Sequence, residues 1–179
     1  YADDLAGLLS HCELGSAIVM GVAYGARTAA AFALRHPGRL AGLALFDVSL
    51  TPPVDQKRQG VLGEAARAAL EAAGQSPAPA ERYWRFYEDR ASADATHRAH
   101  ERAPDLTEPL GAVQAPTLVA SGAHDENLKE AQRIAAWVPP ARFHLMPMTG
   151  HGSPVYRPAY VAALLAAHGW ASLATIPKQ

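Results

Sequence analysis

The chain has 179 residues, 49% of them hydrophobic, enough for one substantial core and within the usual size of a single domain. Its 16 Lys and Arg against 17 Asp and Glu give a formal charge of −1, and neither sign forms a run that could follow a phosphate backbone or an anionic lipid surface, so nucleic acid and membrane are not expected as partners. The single cysteine, Cys12, excludes an internal disulfide; flanked by His11 and Glu13 without metal-ligand spacing, it reads as a structural thiol.

The chain opens at Tyr1 inside an amphipathic helix, with no initiator methionine and no signal-peptide pattern, which leads us to expect a preceding segment. From Ala2 to Ser10, Leu5, Leu8 and Leu9 recur at helical spacing, and Asp3 and Asp4 sit where negative charge suits the helix dipole. This helix should close near Gly15. Ala17 to Met20 predicts a strand ending at Gly21, and Gly25 starts an alanine-rich helix that runs to His36 and stops before Pro37. Leu40 to Phe46 is a continuous apolar run, the pattern of a strand buried on both faces of a parallel sheet, and Asp47 marks its carboxyl end.

Between Thr51 and Pro109 the character changes. Pro52 and Pro53 interrupt the chain, Gly63 to Ala73 predicts a helix, Gln75 to Pro79 a linker, and Glu81 to Arg102 a charged helix, with no strand candidate. Tyr83, Trp84, Phe86 and Tyr87 are read as packing residues of that segment. The sheet pattern then resumes: Pro116 to Ala120 as a strand, Asn127 to Trp137 as a helix, Ala141 to Met146 as a strand and Pro158 to His168 as a closing helix. The longest apolar stretches, Thr28 to Leu34 and Val161 to Ala167, fall short of the ~20 residues that span a bilayer, so a soluble, cytoplasmic protein is expected.

Three positions carry chemistry. Gly21-Val22-Ala23-Tyr24-Gly25 has the frame of G-x-S-x-G, in which glycines let a strand turn sharply into a helix so that the middle residue projects above the sheet; here that residue is alanine. Asp125 follows a buried strand, at the edge where open α/β sheets carry their ligands. His151 lies in Thr149-Gly150-His151-Gly152, a loop flexible enough to bring an imidazole back over the sheet. The other histidines (His11, His36, His97, His100, His124, His144 and His168) are assigned to packing or structural hydrogen bonds.

Nucleophile position, acid and histidine thus run in the order seen in α/β hydrolases, and the stretches Gly21 to Asp47, Pro116 to Asp125 and Met148 to Pro158 resemble the nucleophile elbow, acid and histidine segments of that superfamily. The resemblance implies an α/β fold: a mostly parallel sheet flanked by helices, a partial α/β-hydrolase fold with a helical lid inserted. Residues 1–50 would form the first part of the core, 51–109 the cap and 110–179 the second part of the core. It further implies hydrolysis of an ester-like bond, carboxylic ester or lactone, in a small molecule, without cofactor or metal. Ala23 would hold the nucleophile position, His151 would shuttle the proton, Asp125 would orient the imidazole and the Tyr24 amide would contribute to the oxyanion hole, while a missing amino-terminal segment or another chain would complete the sheet and supply the second donor. Asp47 is a weaker candidate for the acid. Because a methyl group cannot attack a carbonyl, three readings of Ala23 stand: a natural relative that keeps the pocket for binding or scaffolding, a serine replaced by design, or His151-Asp125 general-base chemistry without a covalent intermediate.

Overall fold

The computed structural model describes residues 1–51, 56–76 and 90–170. Four strands, β1 (Ala17–Val22), β2 (Leu40–Phe46), β3 (Thr117–Gly122) and β4 (Ala141–Met146), form one sheet in the order β1-β2-β3-β4, with every neighbouring pair parallel. Helix α1 (Ala2–His11) precedes β1, α2 (Tyr24–Arg35) joins β1 to β2, and α5 (Leu128–Trp137) joins β3 to β4. Helices α3 (Gln56–Ala72) and α4 (Arg90–Glu101) lie in the long connection from β2 to β3, and α6 (Ser153–Tyr156) and α7 (Pro158–Ala167) follow β4.

The continuous apolar runs have a plain cause. Alternate residues of a strand face opposite sides of the sheet, and here both sides are covered. Leu43, Leu45 and Val119 pack with Phe32 of α2 and Ile134 of α5, while Ala44, Phe46, Leu118 and Ala120 pack on the other side with Val161 of α7. The central strands β2 and β3 are accordingly buried along nearly their whole length, whereas the outer strand β4 admits Arg142 and His144.

The expected strands at 40–46 and 141–146 agree with the structure residue for residue, and the others differ by one or two positions at an end. Helix α3 begins well before the expected Gly63, because Gly60 and Gly63 lie inside it and do not break it. The loop after β4 runs close to this helix: a Cβ on Gly150 would sit 3.2 Å from the Gly63 Cα, so glycine at 150 eases the approach, whereas a Cβ on Gly63 would meet nothing within 4 Å. The α1 helix closes at Cys12 through Glu13, at φ 56°, rather than at Gly15. Cys12 itself is exposed, so it is not the buried thiol of a core. The aromatic residues 83, 84, 86 and 87, with most of the expected linker and the first half of the charged helix, lie outside the described residues.

Both ends of the long connection are fastened to the core. The Glu130 carboxylate on α5 accepts hydrogen bonds from the Leu50 and Thr51 amides (2.7 and 2.9 Å) and from the Ser49 and Thr51 hydroxyls (3.0 and 3.1 Å). Buried Arg27 on α2 donates to the Leu50 carbonyl at 2.6 Å and to the Pro104 carbonyl, gripping the chain where it leaves and where it returns. Hydrogen bonds to a charged acceptor contribute more than neutral ones, and an amide left bare beneath the connection is costly. Glu130→Ala is therefore expected to destabilise the fold by about 2 to 4 kcal/mol, read as a lower urea midpoint at unchanged slope.

Candidate active site

In a parallel sheet the chain always emerges at the carboxyl edge, so residues far apart in sequence gather there. Ala23 follows β1, Asp47 follows β2, Asp125 lies beyond the end of β3 and His151 in the loop after β4. The Ala23 amide donates to the Phe46 carbonyl (3.0 Å) and the Asp47 amide to the Ala120 carbonyl (2.9 Å). The Ala123 and His124 amides donate to Met146 and Thr149 (both 2.9 Å), drawing the acid and histidine loops together.

The turn at Ala23 is strained. Its φ of 51° and ψ of −115° lie where L-residues are disfavoured. A Cβ on Gly21 would fall 2.2 Å from the Gly25 carbonyl oxygen, so helix α2 springs from β1 at a distance only glycine allows. The geometry is that of a residue held up at the mouth of the sheet, beside the amino end of a 12-residue helix whose first turn presents amide groups and positive dipole. Glycine would adopt this backbone with less strain, so Ala23→Gly is expected to stabilise the fold by roughly 1 kcal/mol, the strain relieved less the entropy glycine loses, measured by urea unfolding.

Asp125 and His151 meet directly. His151 Nδ1 stands 3.2 Å from Asp125 Oδ1, with the carboxylate wholly buried and the imidazole 27% exposed. The Asn127 amide also donates to Asp125 Oδ1 (3.0 Å), and the Ser121 hydroxyl to Oδ2 (3.3 Å). Asp125 thus bonds the turn that leads into α5 as well as holding the imidazole. Burial works to raise the Asp125 carboxyl, but its hydrogen bond and charge contact with His151 prevail and hold it below the ordinary value. Burial works to lower the His151 imidazole, yet Asp125, with a smaller contribution from Asp47, raises it. Ala23, whose methyl has no polar atom, hydrogen-bonds to neither.

Asp47 lies deeper than its place at a strand end suggests. It is fully buried, and its Oδ2 accepts the Ser153 amide (2.7 Å) at the start of α6, while its own carbonyl accepts Asn127 Nδ2 (3.2 Å). Ser121, Asn127 and Ser153 had no motif to flag them. Of the remaining histidines, His36 pairs with Asp3 (3.0 Å), His144 with the Tyr160 hydroxyl (2.9 Å), and His168 stacks edge-on against Trp170, each a structural contact.

A cavity of about 340 Å³ opens between α3 and the loop after β4, lined by Gly60, Gly63 and Arg67 on one side and by Met148, His151 and Tyr156 on the other. The imidazole therefore borders a space of small-ligand size; Ala23 and Tyr24 are not in its lining. Among the described residues no group of three or more His, Cys, Asp or Glu side chains is placed to hold a metal ion, and no helix is long and apolar enough to cross a membrane.

Comparison with known proteins agrees with this layout. The sequence model of the Ndr family matches residues 1–57, and no curated protein matches the chain. Among solved structures, a hydrolase from Pseudomonas aeruginosa PA01 aligns with a TM-score of 0.67 at 28% identity, over 92% of this chain and 69% of that one. A thermophilic esterase from Thermogutta terrifontis aligns with a TM-score of 0.64 at 26% identity, over 93% and 69%. The enol-lactonase from Burkholderia xenovorans LB400 gives 0.64 at 21% identity, over 93% and 70%, a likeness of fold.

Proposed function

The chain belongs to the α/β-hydrolase superfamily, and we propose that its site is that of an ester or lactone hydrolase whose nucleophile position is filled by alanine. The observation that carries this reading is the strained turn at Ala23, kept at the same sheet edge as a buried carboxylate and its histidine. Backbone strain of this kind costs stability and persists where the surroundings impose it, and an alanine methyl gains nothing from being held there. A serine hydroxyl would.

In this reading a serine hydroxyl at position 23 attacks the carbonyl carbon of a small ester or lactone, and His151 Nε2 takes its proton. Asp125, bonded to Nδ1, fixes the tautomer and supports the imidazolium, and the Tyr24 amide receives the developing oxyanion. Helices α3 and α4, within residues 51–109, act as the cap, and the cavity between α3 and His151 receives part of the substrate. As it stands, with Ala23, the chain binds the small molecule without forming an acyl-enzyme. The esterase likeness supports the substrate class.

A second reading, ligand binding or scaffolding without any hydrolytic use, draws on Ala23 itself together with the cavity. One experiment separates the two: Ala23→Ser in the full chain, assayed against activated esters and small lactones. Turnover above the alanine form supports the hydrolase site, and saturable binding without turnover overturns it. His151-Asp125 general-base chemistry on a bound water is the third reading, and it predicts activity in the alanine form that His151→Ala abolishes.

A further inference from the structure

The catalytic reading leaves one buried titratable group unused. Asp47 is completely buried, its Oδ2 accepts the Ser153 amide at 2.7 Å, and its Oδ1 is also buried and receives no hydrogen bond. Asn127 links Asp47 to Asp125, donating its amide to Asp125 Oδ1 (3.0 Å) and its Nδ2 to the Asp47 carbonyl (3.2 Å), and Asp125 in turn holds His151. The charged groups that act on it are Asp125, from the loop after β3, and His151, from the loop after β4.

Two carboxylates side by side in a dry pocket repel strongly, and one cation cannot neutralise both. A buried carboxylate oxygen without a donor is costly in its own right. A single proton answers both difficulties. We propose that Asp47 is a positioning residue for the imidazole: while His151 is neutral, Asp47 and Asp125 hold one proton between them, seated on Asp47 Oδ1 and donated to the Asp125 carboxylate. The pair then presents one negative charge to Nδ1, and Asp47 keeps the histidine loop in place through the Ser153 amide.

Burial, and next the charge of Asp125, push Asp47 up to about 7, so this proton exchanges in the neutral range. Its loss puts a second negative charge near the imidazole and favours the imidazolium; protonation of His151 in turn eases its release. The titrations of His151 and of the carboxyl pair are therefore linked.

The test needs no turnover and uses the chain with Ala23 in place. Carboxyl carbon NMR should show Asp47 titrating near neutral pH, far above the exposed aspartates, and Asp125→Asn should move that titration downward by removing the neighbouring charge. Asp47→Asn keeps an oxygen to accept the Ser153 amide, and histidine ring NMR should then show His151 titrating at a lower pH and in a single simple step. Asp47 titrating in the ordinary acid range, or a His151 curve unchanged by Asp47→Asn, overturns the proposal. If Asp47→Asn does not fold, the carboxyl titration of the unaltered chain decides. None of these readings depends on whether Ala23→Ser gains turnover, so failure of one proposal leaves the other standing or falling by its own experiment.

Discussion

Ala23→Ser is expected to raise hydrolysis of a good ester or lactone substrate by roughly 10³ to 10⁶-fold over the alanine form, the range lost when a triad nucleophile is removed elsewhere. The methyl and hydroxymethyl side chains share a Cβ, so the backbone at φ 51° and the packing around it need not change. The gain should vanish in the Ala23→Ser, His151→Ala double variant, because the members of a triad act as a unit. Ala23→Ser with Asp125→Asn should lose about 10⁴ in kcat, since the imidazole would sit in the wrong tautomer. The pH profile gives an independent check. His151 accepts the proton only when neutral, and Asp125 holds its pKa above the ordinary value. Activity should therefore climb as pH passes that raised value and fade on the acid side. Equal rates for the single and double variants would show that the hydroxyl is not served by His151.

The second large effect concerns glycines that differ in kind although the motif treats them alike. Gly21→Ala places a Cβ 2.2 Å from the Gly25 carbonyl oxygen, and Gly122→Ala places one 2.1 Å from the Thr149 carbonyl oxygen. Both obstacles are backbone, so neither can swing aside, and separation of the elements is the remaining relief. Each substitution is expected to cost more than about 4 kcal/mol, enough to leave little folded protein from a domain of ordinary stability. Gly25→Ala meets nothing within 4 Å. It lies in α2, where alanine is the better helix former, so the expected change is a gain of up to about 1 kcal/mol. Urea midpoints and circular dichroism of the three variants check the ordering, and a well-folded Gly122→Ala protein would refute the close approach of the acid and histidine loops.

What the sequence disclosed depended on the distance over which each signal is written. Leu40 to Phe46 and Ala141 to Met146 declared themselves because a strand between covered faces needs an unbroken run, and flanking Pro, Gly and Asp residues bound it. Asp125 and His151 could be singled out as candidates because a strand end and a glycine-framed loop are local features, and the structure places the two side chains 3.2 Å apart. The depth of Asp47 was not legible. It depends on an amide at Ser153 and on the company of Asp125, contacts that no neighbouring residue announces. The start of α3 escaped because Gly60 and Gly63 lower helix propensity locally, although neither breaks the helix. The short α6 turn had too few residues for any periodicity to register.

The twofold grip of Arg27 on Leu50 and Pro104, with Glu130 binding the same departure point, fixes two boundary posts on the core. The stretch between Thr51 and Pro104 can then drift in length and composition over evolutionary time while the scaffold beneath holds its shape, since closing a longer loop between fixed posts costs little. Insertions or deletions in this connection would therefore leave the folding problem of the sheet unchanged.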